Sequence, residues 1–338
     1  MGGTITTDLI INESPDKNKW DDFVFNHPSG NIFQTSLMHD VYKNTPNNNA
    51  GVIALEDGSK KIVGVLVYTI IFEPGIKTFF STRSIINGGP IVSDNNHEYA
   101  KKILNYYNQK IRTSKAIYTE VRNLCDVQAI NEPFLKCGFS YVPHMTIHND
   151  LTLSIEEMKK ALHRGRASNI KRALNKGIVI RELTKNDEIA LGHKLIAETY
   201  ERINLPAPHP SLFLNTSEIL KDKCRIVGAF VEDKLVGCRV YLIYKELMYD
   251  WFAAIDMKYS NYQVADLLPW HNMLWGKENG IKIYDFAGAG NPNKEYTVRD
   301  YKLKFGGKLL TFGRYSKIHK PVLYNVGKIG LKFYKYIR

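Results

Sequence analysis

Cysteine is scarce in this 338-residue chain, and the four present, Cys125, Cys137, Cys224 and Cys238, are scattered, with no CxxC pair and no histidine at ligand spacing. That scatter excludes a zinc site and a disulfide framework, so all four are expected to be reduced. Long apolar runs are missing too: none approaches the roughly 20 residues needed to cross a bilayer. The N-terminal stretch carries Asp8, Glu13 and Asp16 with no continuous apolar core, which argues against a secretory signal. A cytoplasmic protein is expected. There is no GxSxG and no GxxxxGK[ST], so serine-hydrolase and P-loop chemistry are set aside. Gly288-Ala289-Gly290 offers two glycines of a dinucleotide fingerprint, but the third is absent and Asn291-Pro292-Asn293 breaks the required helix start. His144 and His148 can share a strand face but lack a third ligand, so both read as structural and no metal site is expected.

What is present is an ordinary globular composition, 44% hydrophobic and 24% charged. A chain of this length suits two domains of about 150 residues each. The formal charge of +12 favours a polyanionic partner over a merely solvated surface because the charge is clustered. From Met158 through Ile180 there is no acid, while Lys159, Lys160, Arg164, Arg166, Lys171, Arg172 and Lys176 crowd together. Such density repels itself, and a bound polyanion would relieve it; a solvated helix face is the alternative.

Periodicity predicts a helix around Trp20 to Phe25 and strands over Gly51 to Glu56 and Ile62 to Phe72, joined by the Asp57-Gly58-Ser59 hairpin signal. A strand from Thr78 to Ile86 runs into Asn87-Gly88-Gly89-Pro90, followed by a helix over Asn96 to Ile111. Strand Lys115 to Val121, a helix near Asn123 to Lys136 and strand Tyr141 to Leu153 complete this half. Ser154 and Glu157 have capping-box spacing, opening one helix that continues to Lys176 and stops at Gly177. Then come strand Ile178 to Glu182, helix Asn186 to Arg202, a proline-rich turn over Leu205 to Pro210, and strands Arg225 to Val231, Leu235 to Tyr244 and Leu247 to Ile255. Helix Val264 to Lys277, strand Lys282 to Phe286, a Gly288 to Asn293 loop and strand Lys308 to Tyr315 end the order. Both halves share it, which predicts an α+β fold of two tandem acetyltransferase-like (GNAT) domains, each a mostly antiparallel sheet flanked by helices. The boundaries read as 1–153, 154–320 and a basic amphipathic tail, 321–338.

Several segments in a fixed order resemble the Fem-type (FemAB) transferases. They are Asn31-Ile32-Phe33-Gln34-Thr35 with Lys43 on the next helix, Asn87-Gly88-Gly89-Pro90, Arg166 to Ala173, Tyr249-Asp250-Trp251-Phe252-Ala253-Ala254, Tyr284-Asp285-Phe286-Ala287-Gly288 and Tyr301 to Gly307. The resemblance covers nearly the whole chain and implies amide formation on an amino group, with an amino acid moved from aminoacyl-tRNA to a peptidoglycan precursor. It further implies that Lys302 stabilises the developing oxyanion, that Arg166 and Lys43 contact a substrate pyrophosphate, and that an acid after the Gly-Pro motif, best matched by Asp94, takes part in substrate binding.

A positioned ammonium suits the oxyanion of acyl transfer, and this makes Lys302 the catalytic candidate. Lys302 and Lys304 could instead be a solvated pair on one strand face. Asp285 precedes a glycine loop and could orient an amine or an arginine, or simply cap the loop. Tyr249 and Trp251, two apart on one strand face, could wall an acyl pocket or pack in the core. Arg172 and Lys304 complete the expected substrate-binding set.

For the donor, an acyl-CoA-dependent enzyme cradles pyrophosphate on a glycine turn and the following helix N-terminus. The stretch Ser260 to Asp266 has no glycine, and Asp266 would face the phosphates, so aminoacyl-tRNA is favoured over acyl-CoA. The expected acceptor is an amino group of an anionic nucleotide- or lipid-linked envelope precursor. Two alternatives stay open: an acyl-CoA-dependent N-acetyltransferase acting on an amino sugar of a surface polysaccharide, and a non-catalytic module binding RNA or an anionic glycolipid. The tail places Val322, Val326, Ile329 and Phe333 at helical spacing among Lys328, Lys332, Lys335 and Arg338, the pattern of a basic amphipathic helix that lies on the inner leaflet or, alternatively, docks on the body.

Overall fold

The computed structural model describes residues 8–75 and 78–327, which form two compact units. The first takes residues 1–143 together with 312–338, and the second takes 144–311. The division therefore falls at Pro143, ten residues before the expected boundary, and the strand after Gly313 returns to the first unit. Two strands read as continuous in sequence are each cut in this way. Pro143 separates Ser140–Val142 from Met145–Asp150, and Gly313, at φ 70, separates Lys308–Thr311 from Arg314–Ile318. Proline lacks the amide that a ladder needs, and a left-handed φ suits glycine, so each strand changes sheet at its breaker.

In the first unit the strands are β1 (Ile10–Asn12), β2 (Asn48–Glu56), β3 (Ile62–Ile71), β4 (Arg83–Asn87), β5 (Ile91–Val92), β6 (Tyr118–Arg122) and β7 (Ser140–Val142). Its helices are α1 (Lys17–Asn26), α2 (Ser36–Lys43), α3 (Thr78–Ser81), α4 (His97–Arg112) and α5 (Asn131–Lys136). The second unit holds β8 (Met145–Asp150), α6 (Ile155–Ala161), α7 (Arg164–Leu174), β9 (Val179–Glu182), α8 (Asn186–Arg202) and α9 (Pro210–Leu220). It continues with β10 (Cys224–Val231), β11 (Lys234–Tyr244), β12 (Leu247–Ile255), α10 (Val264–Glu278), β13 (Ile283–Gly288), α11 (Thr297–Leu303) and β14 (Lys308–Thr311), before β15 (Arg314–Ile318) completes the first. Among the described residues the first sheet runs β1-β2-β3-β4-β6-β15-β7, with β5 also on β3, and the second runs β14-β8-β13-β12-β11-β10-β9. Each has one parallel pair, β4 with β6 and β12 with β13. The tandem GNAT-like fold expected from the element order is present.

The first core forms where Ile53, Leu55, Leu66, Ile86 and Val121 of the sheet meet Ala100, Ile103, Leu104, Tyr107 and Ile111 of α4. That helical spacing of three and four puts one apolar stripe against the strands. Two of the signature segments meet here. Asn31 Nδ2 donates to the Gly88 carbonyl at 2.8 Å, and the buried Gln34 donates to Asn87 O while accepting from Val67 N, both at 2.8 Å. A side chain at Gly88, where φ is 64, would strike Asn31. These residues staple β3 to β4.

The structure also differs from expectation in local elements. Residues 78–81 are helical, not strand, and α9 occupies a stretch for which no element was expected. The helix expected over 154–176 is two: the Ser154/Glu157 capping box is present, but Leu162 is extended (ψ 135) and His163 caps a new helix, its Nδ1 accepting from Gly165 N. The break packs against Gly306, whose φ is 82 and whose added Cβ would lie 2.6 Å from Ala161 Cβ and 2.7 Å from Ala161 O. Gly306→Ala is expected to destabilise the second unit by at least about 2 kcal/mol through left-handed strain and overpacking. A denaturant melt checks it, and an unchanged midpoint would refute it. Of the tail, residues 321–327 are helical and 328–338 lie outside the described residues.

Candidate active site

Strands β12 and β13 pair only from Leu247 with Ile283 to Tyr249 with Asp285. Two irregularities part them. In β12 Trp251 is an extra residue, since Val240 opposes Phe252 while Tyr241 opposes Asp250. In β13 the register with β8 shifts between Asp285 and Gly288, and Ala287 takes φ 57. Bulges bend a strand and end its pairing. The parting leaves carbonyls of β13 without a ladder partner, and the Lys302 ammonium takes them: Nζ donates to Phe286 O at 2.6 Å and to Gly288 O at 2.8 Å.

Lys302 lies on α11, not on a strand, so its expected strand-face pairing with Lys304 does not hold; Lys304 is the exposed C-cap. The loop before α11 fixes where that helix starts. Arg299 donates to Asn291 O at 2.9 Å and Lys294 O at 2.7 Å, and Gly290 at φ 79 leaves room for the Tyr296 ring, which a Cβ would meet at 2.8 Å. Burial lowers the Lys302 pKa from the usual lysine range to about 8; Asp250 and Asp285 resist the fall, and Arg239 adds to it. An ammonium has three N–H donors, and two hold the strand.

Asp285 is 2% exposed. One oxygen accepts from Ala287 N at 2.8 Å and Thr146 Oγ1 at 2.5 Å, and the other lies 3.3 Å from His148 Nε2. It caps the loop and also holds a histidine, its register partner on β8. His148 thus joins the cluster, while His144 contacts the carbonyl of Met145 at 3.1 Å. Among the described residues no group of three His, Cys, Asp or Glu could hold a metal ion.

Sequence reasoning passed over one buried pair of opposite charges. Asp250 and Arg239 are 6% exposed each and form an ion pair. The Asp250 oxygen in that pair also accepts from Tyr284 OH at 3.0 Å, and Arg239 reaches Tyr301 OH at 3.4 Å. Its second oxygen, Oδ1, is buried with no hydrogen-bond partner among the described residues. Burial pushes the Asp250 carboxyl above its ordinary range, with Arg239 and Lys302 pulling it back. The available signal was a charge in the interior of each of two otherwise apolar strands, since such charges need a buried partner.

Arg166 also turns inward. Its guanidinium pairs with Asp266, donates to Tyr301 O at 3.3 Å and stacks over the rings of Tyr301 and Phe305, at 4.4 and 4.7 Å from their centroids. It ties α7 to α10 and α11, and at 8% exposure its surroundings are those of a clamp rather than a pyrophosphate contact. Asp266 is buried too and also accepts from Asn169 Nδ2 at 2.5 Å, so it does not face a phosphate at the start of α10. Arg172, exposed on α7, donates to Asn169 Oδ1. The bulge breaks the alternation that would put Tyr249 and Trp251 on one face. Tyr249 is the register partner of Asp285, whereas the Trp251 ring packs on Phe252 at 4.7 Å. The structure thus gathers Lys302 and Asp285 with Asp250, Arg239 and His148, while Tyr249 meets Asp285 in backbone register. Lys43 and Asp94 belong to the first unit: Lys43 is exposed at the end of α2, and Asp94, also exposed, lines a groove of about 940 Å³ with Lys19, His27, Lys60 and Lys61.

Two α+β units of this sheet order, the second opened between its parallel strands, define a tandem GNAT-like protein. Residues 163–303 match the family model for the acetyltransferase (GNAT) domain. The solved structure of FemX is similar over 94% of this chain and 99% of its own, with a TM-score of 0.70 at 15% identity. A tandem GNAT protein from the clavulanic acid biosynthesis pathway covers 92% of this chain and 99% of its own, with a TM-score of 0.60 at 9% identity. L-PGS from Bacillus licheniformis covers 94% of this chain and 98% of its own, with a TM-score of 0.56 at 15% identity. No curated protein matches the chain in sequence. The Fem-type, GNAT-like resemblance is borne out in the fold.

Proposed function

We propose that the chain is a transferase that forms an amide by moving an aminoacyl or acyl group from an ester or thioester donor to an amino group of an anionic, nucleotide- or lipid-linked envelope precursor. The observation that carries this reading is the Lys302 ammonium at the parting of β12 and β13, fixed by two carbonyls and half-buried. A neutral amine attacks the donor carbonyl, the C–N bond forms, and the carbonyl electrons move to oxygen. Lys302 offers its third N–H to that oxyanion in a site poor in water. Collapse breaks the C–O bond of an aminoacyl ester, and the amine proton ends on the departing ribose hydroxyl. The unpartnered Asp250 oxygen and the Asp285–His148 pair are the groups placed to receive that proton on the way.

Aminoacyl-tRNA is the donor we favour. The turn before α10 has no glycine, its left-handed residue being Gln263 at φ 62, and the chain carries +12. Asp266 is turned inward onto Arg166, so the glycine-free turn is the feature that disfavours acyl-CoA. The GNAT family match keeps acyl-CoA-dependent N-acetylation of an amino sugar as the second reading. On the acceptor side, Asp94 and its lysines line a groove large enough for a nucleotide, and Lys43 lies in the same unit.

A coupled assay separates these readings. With charged tRNA and acetyl-CoA supplied against nucleotide-linked peptide and amino-sugar acceptors, RNase is expected to abolish product. Product from acetyl-CoA that survives RNase would replace the first reading with the second. No turnover with any donor, together with salt-sensitive binding, would identify a silent RNA- or glycolipid-binding module.

A further inference from the structure

We propose that the first unit docks on an anionic phospholipid surface through Phe79 and Phe80, acting together with the helical residues 321–327. This reading concerns where the protein works and does not depend on which acyl group it transfers. The two phenylalanines form the middle of α3, a four-residue helix, and they are 61% and 48% exposed. Adjacent exposed phenylalanines on one short helix are costly in water and gain from an apolar medium.

They are not isolated. A Cβ built on Gly327 would lie 3.6 Å from the Phe80 carbonyl, so the end of helix 321–327 abuts α3. That helix is itself seated on the sheet by the Tyr324 ring, 5.6 Å from the Tyr118 ring and nearly perpendicular to it. Seating it leaves Val322 and Val326, one turn apart, 76% and 47% exposed. Four large apolar side chains thus stand out in one neighbourhood. Cations accompany them: Arg83 donates to Ser81 O at 3.1 Å, and Lys320 donates to Ser114 O at 3.1 Å, beside the exposed Lys115. Against these stands Glu73, whose backbone amide donates to Ser81 Oγ.

Charge complementarity selects the occupant. After Asp300 the sequence contains no acidic residue, and the stretch beyond Gly327 adds Lys328, Lys332, Lys335 and Arg338. Apolar side chains ringed by cations suit the negative surface of a bilayer rich in anionic lipid, where each added basic residue strengthens attachment. The tail pattern alone offered attachment through residues 321–338 beside a helix docked on the body. The new element is α3, more than sixty residues before the second unit begins and with no amphipathic pattern of its own.

The test uses the full chain, sedimented with vesicles of phosphatidylcholine alone and of phosphatidylcholine with about one-third phosphatidylglycerol. The parent is expected to pellet with the anionic vesicles and not with the neutral ones. Phe79→Ser/Phe80→Ser, with both sites exposed and melting unchanged, is expected to weaken that binding at least tenfold. A second variant, Phe79→Trp, is expected to shift its added emission to the blue on anionic vesicles only. The proposal is overturned if the parent fails to pellet or if the double variant binds like the parent. It is overturned also if ending the chain at Gly327 abolishes binding while the double variant retains it, because the tail alone then suffices. Concentration-dependent dimers in vesicle-free light scattering, lost in the double variant, would instead assign the patch to a second copy.

Discussion

Lys302→Met is expected to lower amide formation by roughly 10²–10³-fold, the cost of removing one oxyanion donor, while the second unit stays folded. The reason lies in how the ammonium is held. Two of its donors are fixed on Phe286 O and Gly288 O, so the third has a defined direction and needs no reorganisation when charge develops. A pH profile tells whether the charge itself acts. The Lys302 pKa is lowered to about 8, so below pH 8 the ammonium dominates and above it the neutral amine does. If the charge stabilises an oxyanion, the rate limb carried by this group falls as pH rises through about 8, and Lys302→Arg removes the limb because arginine stays protonated. A limb that rises through the same range would make Lys302 a base instead. Parental activity in Lys302→Met with either donor would end the mechanism proposed here.

The opening that Lys302 occupies was only half legible in the sequence. The segment Tyr284 to Gly288 reads as a buried strand followed by a glycine loop, and it is one. What no pattern disclosed is that its neighbour parts from it, because a bulge at Trp251 is a matter of register between two strands and leaves no local mark. The same bulge misled the pairing of Tyr249 with Trp251, which assumed a strict period of two. Arg166 shows a different limit. Seven cations with no intervening acid look like a solvated or ligand-binding helix, yet one of them turns inward because Asp266, a hundred residues on, is buried opposite it. Burial partners that distant cannot be read from spacing. Breakers were easier: Pro143 and Gly313 stand in plain view, but they were read as interior to strands, and the unit boundary was displaced accordingly. The signature segments were legible as a set because each supplies one face of a shared contact. Asn31 and Gln34 bind the loop at Gly88, and Tyr301 and Phe305 enclose Arg166.

The buried pair beneath the opening sets the second large effect. Asp250→Ala strands the Arg239 guanidinium in the core with Tyr301 OH as its remaining hydrogen-bond partner among the described residues, and removing one member of a buried ion pair costs about 3–5 kcal/mol. For a unit of this size that corresponds to a fall of roughly 6–20 °C in its melting temperature. Fluorescence can follow it, since Trp251, Trp270 and Trp275 lie in the second unit and only Trp20 in the first. Replacing both partners, Asp250→Leu with Arg239→Met, removes the stranded charge, and Tyr284 OH keeps Tyr241 OH within 3.4 Å. The double variant is therefore expected to melt above either single one, with a coupling energy of at least about 1 kcal/mol between the sites. Strict additivity would mean that the two charges do not support each other. Activity separates a positional role from a chemical one: if Asp250 serves only to hold Arg239, the double variant regains turnover along with stability. If its unpartnered oxygen receives the acceptor's proton, stability returns and turnover does not.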